Sequence, residues 1–506
     1  MNQKDSFSIQ YGWLYKALVL IVAILLLLRF YHLDADFPSG ITRSGVLYTD
    51  EGWYSNAAVN DYQFGNWYLP GDFNPAVNMP LGQILHRWAF SFFGIGLTSV
   101  RVTPAVLFIL TVLLTSQLVF FRFGTHAAVL TALLLATNFP GFAYSRLAII
   151  DMEAMFFVVS GFFAAAGPGK NWRLFRVVLA SILIAAGVLT KTTMIFGIPL
   201  LAYLVAIQAK NRRERIFLLA IFAIVLMFIV GGYFLAAKTF FPEDYAYFKR
   251  LNLDERIHKG VVDWLGSILQ LIERIKALGI GFAVFCLLTF SLALRISKRY
   301  RADPVIRGMV VYIILYLGFL SISRHLPPRY FLPLLVPLSA LGATASLELG
   351  AMLRRMRLPH SNILASIPLL LLLSLAMTGS VKIASYLSHS DFSFRGMAQE
   401  VGEIIEVREG KVPGVVVFGH IANSVALEIG VRSVNTVLGT LPLDRKLGRY
   451  RPRYLLLHTD DEVVMDAVKL EGGRVERLAS WDVFGNYYGK GKQVQLFQVY
   501  WKQRDN

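Results

Sequence analysis

Residues 363–379 read ILASIPLLLLLSLAMTG, an apolar run that contains no charged side chain. A helix of this length crosses the roughly 30 Å hydrocarbon core of a bilayer. Residues 13–30 and 101–121 form similar runs, and the whole chain is 55% hydrophobic but only 16% charged. Soluble domains are rarely so apolar. The sequence therefore predicts an α-helical polytopic membrane protein.

The Lys and Arg residues behind the formal charge of +17 fall in short clusters between apolar runs. The clusters lie near residues 170–176, 210–215, 295–307 and 354–357, after every second predicted span. Because positive charge marks cytoplasmic loops, this placement indicates membrane topology rather than nucleic-acid binding. It predicts a cytoplasmic amino terminus, with the loop of residues 31–96 and the tail after residue 380 outside.

The apolar runs define the domain organisation. They predict about eleven spans, near residues 13–30, 98–121, 126–143, 147–166, 174–190, 192–208, 216–236, 278–295, 308–322, 331–349 and 363–379. We expect residues 1–380 to form the transmembrane domain, with an external catalytic loop at residues 31–96. Residues 381–506 alternate short β-rich runs with helical patterns, which predicts an extracytoplasmic α/β domain. Within it, Gly419 and His420 follow a strand, a position that is either an ordinary turn or a ligand site.

The first external loop carries an adjacent acidic pair, Asp50 and Glu51, in the stretch YTDEGWYSNAAV. By itself such a pair is also typical of a solvated helix start. Here it lies shortly after a span and is followed by Trp53 and Tyr54. Two carboxylates beside aromatic rings at this depth indicate a reaction centre at the water-lipid boundary.

The order of motifs around this pair is more specific. TDEGWYSNAAV is followed by GNWYLPGDFN and NMPLGQILHRWAFSFFG, and Arg101 then leads into a span. Three later segments complete the pattern, at residues 144–151 (YSRLAIID), 187–192 (GVLTKT) and 325–333 (HLPPRYFLP). Together these stretches resemble the C-type, polyprenyl-phosphate-sugar-dependent glycosyltransferases, which include protein O-mannosyltransferases and lipid A aminoarabinose and galacturonosyl transferases. The resemblance covers roughly residues 13–350.

The resemblance implies an integral-membrane glycosyltransferase that takes a sugar from a polyprenyl-phosphate donor. The sugar would pass to an extracytoplasmic hydroxyl of a lipid, glycan or protein, so the implied partners are the donor, the acceptor and membrane lipid. The implied location is the cell membrane. The sugar, the acceptor and the stereochemical outcome stay open. The alternative is a transporter or a lipid-linked-sugar flippase, since charged side chains within a many-span bundle also suit transport.

The acidic residues are assigned by the chemistry that the transfer needs. Asp50 is the expected general base for the acceptor hydroxyl, a role that the resemblance also implies. Glu51 is a second catalytic candidate, with orienting Asp50 or capping a helix as its alternative role. Asp151 is expected to contact substrate, and its alternative is a buried ion pair with Arg146. If Asp50 and Asp151 both face the site, a divalent cation could bridge them to a phosphate, and metal dependence is left open.

Cationic and aromatic side chains at predicted external span ends are the candidate partners of the donor phosphate. Lys191 would act as a point charge, or would instead snorkel to the membrane surface. Arg329 would donate two parallel hydrogen bonds from its guanidinium fork. The resemblance adds Arg146, His325 and Tyr330 as substrate-binding candidates. For His325 a plain loop position is the alternative, and for Tyr330 a place in the interfacial aromatic belt.

Overall fold

The computed structural model describes residues 12–38, 50–167, 172–254, 266, 269–271, 273–324, 326–356, 360–458, 461–484 and 493–502. The helices of these ranges are α1 (Gly12–Leu27), α2 (Glu51–Phe64), α3 (Pro80–Phe93), α4 (Leu97–Phe123), α5 (Thr125–Thr137), α6 (Phe139–Tyr144), α7 (Asp151–Ala166), α8 (Arg173–Thr190), α9 (Ile198–Gln208), α10 (Arg212–Leu226), α11 (Gly232–Phe240), α12 (Pro242–Lys249), α13 (Ile280–Ile296), α14 (Lys298–Ala302), α15 (Pro304–Ser321), α16 (Leu335–Arg355), α17 (Ser361–Ser388), α18 (Ser393–Glu409), α19 (Ala422–Ile429), α20 (Leu443–Tyr450) and α21 (Glu462–Leu470). Two 3₁₀ segments matter for the site, Thr192–Gly197 and Pro328–Leu334.

Six helical stretches of the described chain are long and apolar enough to cross a membrane, or seven if a bent pair that ends with α13 is one span. The six are Leu97–Phe123, Arg173–Thr190, Arg212–Phe240, Pro304–Ser321, Pro328–Arg355 and Ser361–Glu409. Each of the other predicted spans also falls on a helix, but α5 and α9 have only 13 and 11 residues. The chain is therefore a mostly helical, multi-pass membrane protein.

The predicted span at residues 126–143 is divided where Asn138 caps a new helix, and the helix within the predicted span 147–166 begins four residues late. α5 ends at Thr137, and the Asn138 side chain then accepts a hydrogen bond of 2.8 Å from the Gly141 amide. Capping of this kind, with Pro140 in the first turn, starts α6 as a separate helix. α7 begins only at Asp151. These breaks put Asp151 at a helix start, where its side chain can face the site.

The carboxy-terminal part contains a five-stranded sheet in the order β2-β1-β3-β5-β4. Its strands are β1 (Val416–Phe418), β2 (Arg432–Val434), β3 (Tyr454–His458), β4 (Gly473–Asp482) and β5 (Gln493–Trp501). β1 pairs in parallel with β2 and β3, whereas β5 pairs antiparallel with β3 and β4. The small carboxy-terminal sheet is therefore confirmed. α17 runs through the expected boundary at residue 381 and ends at Ser388.

Helix α2 lies between the membrane helices and this lobe, and it packs against both α3 and α19. The closest approach is at Gly52, where an added Cβ would lie 2.2 Å from the backbone nitrogen of Ser424. Only glycine permits backbones to meet at this distance. The helix that begins beside Asp50 is therefore held by the lobe as well as by the membrane domain.

Candidate active site

Asp50 and Glu51 open α2 but face different surroundings. Asp50 lies just before the first helical residue, and its carbonyl accepts a 3.0 Å hydrogen bond from the Tyr54 amide. Its side chain lines a cavity of about 330 Å³. The cavity wall is formed by Asp50, Trp53, Tyr54, Phe73, Asn78, Met79, Ile150, Lys191, Thr192, Thr193, Phe248, Leu251, Asn252, Arg329, Tyr330 and Leu438.

Arg329 pairs directly with Asp50. Its Nη2 atom lies 2.5 Å from Asp50 Oδ2, and both side chains are only 7% exposed. The same nitrogen donates to the Tyr54 hydroxyl at 3.3 Å. Burial raises the pKa of Tyr54, so its phenol stays neutral beside the ion pair. Arg329 lies in the 3₁₀ turn Pro328–Leu334, which leads directly into α16.

A second ion pair, between Lys191 and Asp151, adjoins the first. Asp151 is 1% exposed at the start of α7, and Lys191 follows the end of α8. Arg329 Nε lies 4.0 Å from Asp151 Oδ2, and Lys191 Nζ lies 4.7 Å from the centre of the Tyr330 ring. The four charges therefore alternate in sign along one buried row, which lowers the cost of burying each of them.

Glu51 does not line the described wall of the cavity. Its two carboxylate oxygens accept hydrogen bonds of 2.7 Å from Arg101, and Oε1 also accepts from the Ala148 amide at 2.7 Å. Arg101 donates further to the carbonyls of Leu33 and Ala35. Glu51 thus joins α2, α4 and the segment before α7. This geometry favours the orienting role over direct contact with substrate.

Arg146 is buried but binds backbone rather than a carboxylate. Its guanidinium donates to the carbonyls of Leu28, Tyr31 and His32, with distances of 3.2, 2.6 and 2.5 Å. It holds the end of the first span and is absent from the described cavity wall. The alternative expectation of an ion pair between Arg146 and Asp151 is not met, because Lys191 pairs with Asp151 instead. His325 lies outside the described residues.

Some cavity residues carry no recognisable signal in the sequence. Tyr54 is not one of them, because the sequence already places it beside Asp50, four residues further along the same helix face. Phe248 lies in α12 and Asn252 lies just after that helix, whereas Leu438 comes from the carboxy-terminal lobe. Phe248, Asn252 and Leu438 reach the cavity only because segments distant in the sequence pack together, and local sequence patterns do not encode such packing.

The acidic residues do not form a multidentate metal site. Within the described ranges, no group of three or more His, Cys, Asp or Glu side chains is arranged to hold a metal ion. Asp50 and Asp151 are joined through the Arg329 guanidinium. The arrangement thus fits a guanidinium between the two carboxylates better than it fits a cation bridging them.

Comparisons with known proteins bear on this arrangement. Residues 75–233 match the family model described as dolichyl-phosphate-mannose-protein mannosyltransferase. This match includes Asp151 and Lys191 and ends before Arg329. A search of curated protein sequences finds no match.

Solved structures resemble the chain over nearly its whole length. ArnT from Cupriavidus metallidurans, solved with bound undecaprenyl phosphate, is 15% identical, with 96% of this chain and 98% of that one covered and a TM-score of 0.66. AglB, an oligosaccharyltransferase from Archaeoglobus fulgidus solved with an inhibitory peptide and a dolichol-phosphate, is 14% identical, with 98% and 75% covered and a TM-score of 0.54. The mycobacterial arabinofuranosyltransferase AftD is 13% identical, with 97% and 42% covered and a TM-score of 0.50.

At identities this low the structural matches show only that the folds are alike. The similarity in sequence comes from the family model, which matches residues 75–233. The predicted resemblance is confirmed: residues 75–233 match the mannosyltransferase family model, and the chain shares the fold of ArnT and AglB over nearly its whole length.

Proposed function

We propose that the protein transfers a sugar from a polyprenyl-phosphate carrier to an extracytoplasmic hydroxyl of a lipid, glycan or protein, with Asp50 as general base. The observation that carries this proposal is the buried row of Asp50, Arg329, Asp151 and Lys191, three of which line one cavity. A base and two cations are what the transfer requires, because a proton must leave the acceptor and negative charge must gather on the phosphate.

The donor phosphate binds between Arg329 and Lys191. The guanidinium of Arg329 offers several N–H donors in a planar fork, so it can hold a phosphate while it still contacts a carboxylate. Lys191 adds a compact positive charge. Asp151 keeps both cations in place when the phosphate is absent, since it contacts Lys191 and lies 4.0 Å from Arg329.

In the reaction the acceptor oxygen forms a bond to the anomeric carbon and gives its proton to the Asp50 carboxylate. The bond between the anomeric carbon and the phosphate oxygen breaks, and its electron pair leaves with the polyprenyl phosphate. Arg329 and Lys191 stabilise the charge that develops there. A single base on the acceptor side supports inversion at the anomeric carbon.

The lipid chain of the donor enters from the membrane side. An apolar cavity is lined by Met155, Met194 and Pro333, among others. These residues follow Asp151, Lys191 and Tyr330 by three or four positions, so the apolar cavity adjoins the charged one. A polyprenyl chain is the kind of group that such a surface excludes from water.

The site is proposed to face the outside of the cell membrane, in a chain of about eleven spans with a cytoplasmic amino terminus. The placement of the basic clusters supports this orientation. The packing of α2 against α19 supports placing the acidic loop and the carboxy-terminal lobe on the same side of the membrane. No step of the proposed reaction passes through a metal ion.

The test uses purified protein in lipid vesicles, a panel of labelled polyprenyl-phosphate sugars and crude envelope acceptors. We expect one donor to be consumed, and we expect Asp50→Asn to lower the turnover by at least about 10²-fold, because proton transfer by a positioned base contributes about that much. Measuring which labelled donor disappears also identifies the sugar.

Asp61→Asn is the matched control. Asp61 lies on the same helix as Asp50, and its carboxylate is 2.8 Å from Arg87 Nε, in a pair that does not line the described cavity wall. It should retain nearly full turnover. Undiminished turnover in Asp50→Asn would remove Asp50 from the mechanism. The transporter or flippase alternative, which the family match does not favour, predicts instead that lipid-linked sugar crosses the bilayer without being consumed.

A further inference from the structure

The carboxy-terminal lobe contributes directly to the cavity. Leu438, in the segment between β2 and α20, forms part of the cavity wall. It packs in one apolar cluster with Trp53, Phe73 and Phe248, and the Phe73 and Phe248 rings lie 5.5 Å apart. One side of the site is therefore built jointly by the first external loop, α12 and the lobe.

A buried ion pair holds this segment in place. Lys446 Nζ lies 2.9 Å from Asp72 Oδ1, and both side chains are at most 1% exposed. The same ammonium donates to the carbonyls of Asn435 and Leu438 at 2.7 and 2.5 Å. Asp72 in turn accepts a 3.1 Å hydrogen bond from the Asn435 amide. Lys446 thus fixes the backbone of Leu438 itself relative to the first external loop.

The lobe is also bound to the helix that follows Asp50. Ser433 Oγ donates to Asn56 Oδ1 on α2 at 3.1 Å, and it accepts from Asn423 Nδ2 at 2.9 Å. Gly52 brings the backbone of α2 against Ser424. The position of Leu438 relative to the Asp50 carboxylate is therefore set by buried contacts on both sides.

The two ends of the cavity differ in chemistry. Lys191 and Arg329 give one wall positive charge at the ends of membrane helices, where a lipid phosphate arrives. Another part of the wall is aromatic and aliphatic, and it is formed by Trp53, Phe73 and Phe248 together with Leu438 of the lobe. An acceptor must reach Asp50 from the side that the lipid donor does not occupy. An aromatic and aliphatic wall suits a unit with hydroxyl groups at its edge and C–H groups on its face, such as a sugar ring.

We propose that the segment of residues 435–441 forms the acceptor subsite, in which Leu438 is a specificity-determining residue and Lys446 a positioning residue for a sugar-ring acceptor. The inference deepens the proposed function and rests on it. The sugar ring belongs either to a free glycan or to a glycolipid headgroup, since the chemistry recognised at the wall is the same in both.

The test separates acceptor use from donor use. Donor consumption is measured with water as the only acceptor, and transfer is measured against a free oligosaccharide, a glycolipid and a Ser/Thr-containing peptide. Leu438→Trp narrows the wall and Leu438→Ala widens it. We expect each variant to raise the KM for the glycan or glycolipid about tenfold, because a small change in the volume of a binding pocket alters specificity on that scale. The rate of donor hydrolysis should stay nearly unchanged. Val463→Ala is the matched control, because Val463 lies in α21 of the same lobe, outside residues 435–441, and is 77% exposed.

Lys446→Met should raise the KM for the acceptor in the same way, without changing donor hydrolysis, and Lys446→Arg should restore part of the loss. If Lys446 only stabilised the fold, Lys446→Met would lower sugar transfer and donor hydrolysis together. The Leu438 variants keep the test decisive if Lys446→Met fails to fold.

Three results would overturn the inference: a raised KM for the donor in the Leu438 variants, no change in any KM, or preferred use of the peptide. Failure of the proposed function is distinguishable from all of these, since the unmodified protein would then consume no donor, with or without an acceptor. Use of the free glycan or of the glycolipid tells the two sources of the sugar ring apart.

Discussion

Arg329 Nη2 lies 2.5 Å from Asp50 Oδ2, so the proposed phosphate ligand and the proposed base are in direct contact. One guanidinium can hold both groups, because its donors point in several directions within a plane. The contact therefore fixes the leaving phosphate and the base at a constant separation. This geometry makes the fork, and not only the charge, essential at residue 329.

Arg329→Lys keeps the charge but removes the planar fork. We expect kcat/KM for the donor to fall about 10² to 10³-fold, the usual cost of losing a preorganised donor to a developing charge. Steady-state rates at varied donor concentration measure the effect. The matched control is Arg87→Lys, since Arg87 forms a comparable 2.8 Å pair with Asp61 outside the cavity. Activity within about twofold of the unmodified enzyme would show that only charge is needed at residue 329.

Glu51→Gln separates the catalytic role from the orienting role of this carboxylate. The Arg101 guanidinium would remain buried without its anionic partner, and breaking such a pair costs about 3–5 kcal/mol of unfolding free energy. We therefore expect lower thermal stability in detergent, with substantial turnover in the protein that remains folded. Asp61→Asn breaks a pair that is only partly buried, so it should lower the free energy of unfolding by less, about 1 kcal/mol. A fully stable but inactive Glu51→Gln would instead make Glu51 catalytic.

Gly52→Ala tests the docking of the lobe on α2. The new Cβ would lie 2.2 Å from the Ser424 nitrogen, so the two backbones must separate. We expect a fall in stability and in transfer activity, measured by thermal unfolding and by turnover. Gly396→Ala is the control within α18, because its Cβ would meet nothing within 4 Å. Because alanine favours a helix more than glycine does, the free energy of unfolding of that control should rise by up to about 1 kcal/mol. Equal stability of the two variants would contradict the close contact.

The membrane helices and the convergence of Asp50, Asp151, Lys191 and Arg329 could be predicted because each depends on local patterns. Apolar runs locate the helices, and all four charged residues fall where such runs begin or end. The basic clusters then assign those ends to one side of the membrane. Topology thus places the four residues at one membrane face, and the motifs that carry the family resemblance group them in one site.

The partners of Glu51 and Lys446 could not be predicted in this way. Glu51 meets Arg101 across 50 positions, and Lys446 meets Asp72 across 374 positions, so only the packed fold determines these pairs. Strand β2 has three residues, too few for a periodic signal. Strand β4, GRVERLASWD, lacks regular alternation between apolar and polar residues, because one bulge shifts its register after Arg477.

His420 provides a test of the lobe by pH. Burial lowers the pKa of His420 below its ordinary value of 6.5, while the nearby Asp461 acts in the opposite direction. The unfolded chain then binds the proton more readily than the folded chain, so stability falls as the pH drops through 6.5 towards the folded pKa. We expect the melting temperature to decrease between about pH 7.5 and about pH 5.5, and to decrease less in His420→Gln. His389→Gln removes an exposed imidazole at the end of α17 and serves as the control. Identical pH profiles for the unmodified protein and His420→Gln would show that this side chain does not link protonation to folding of the lobe.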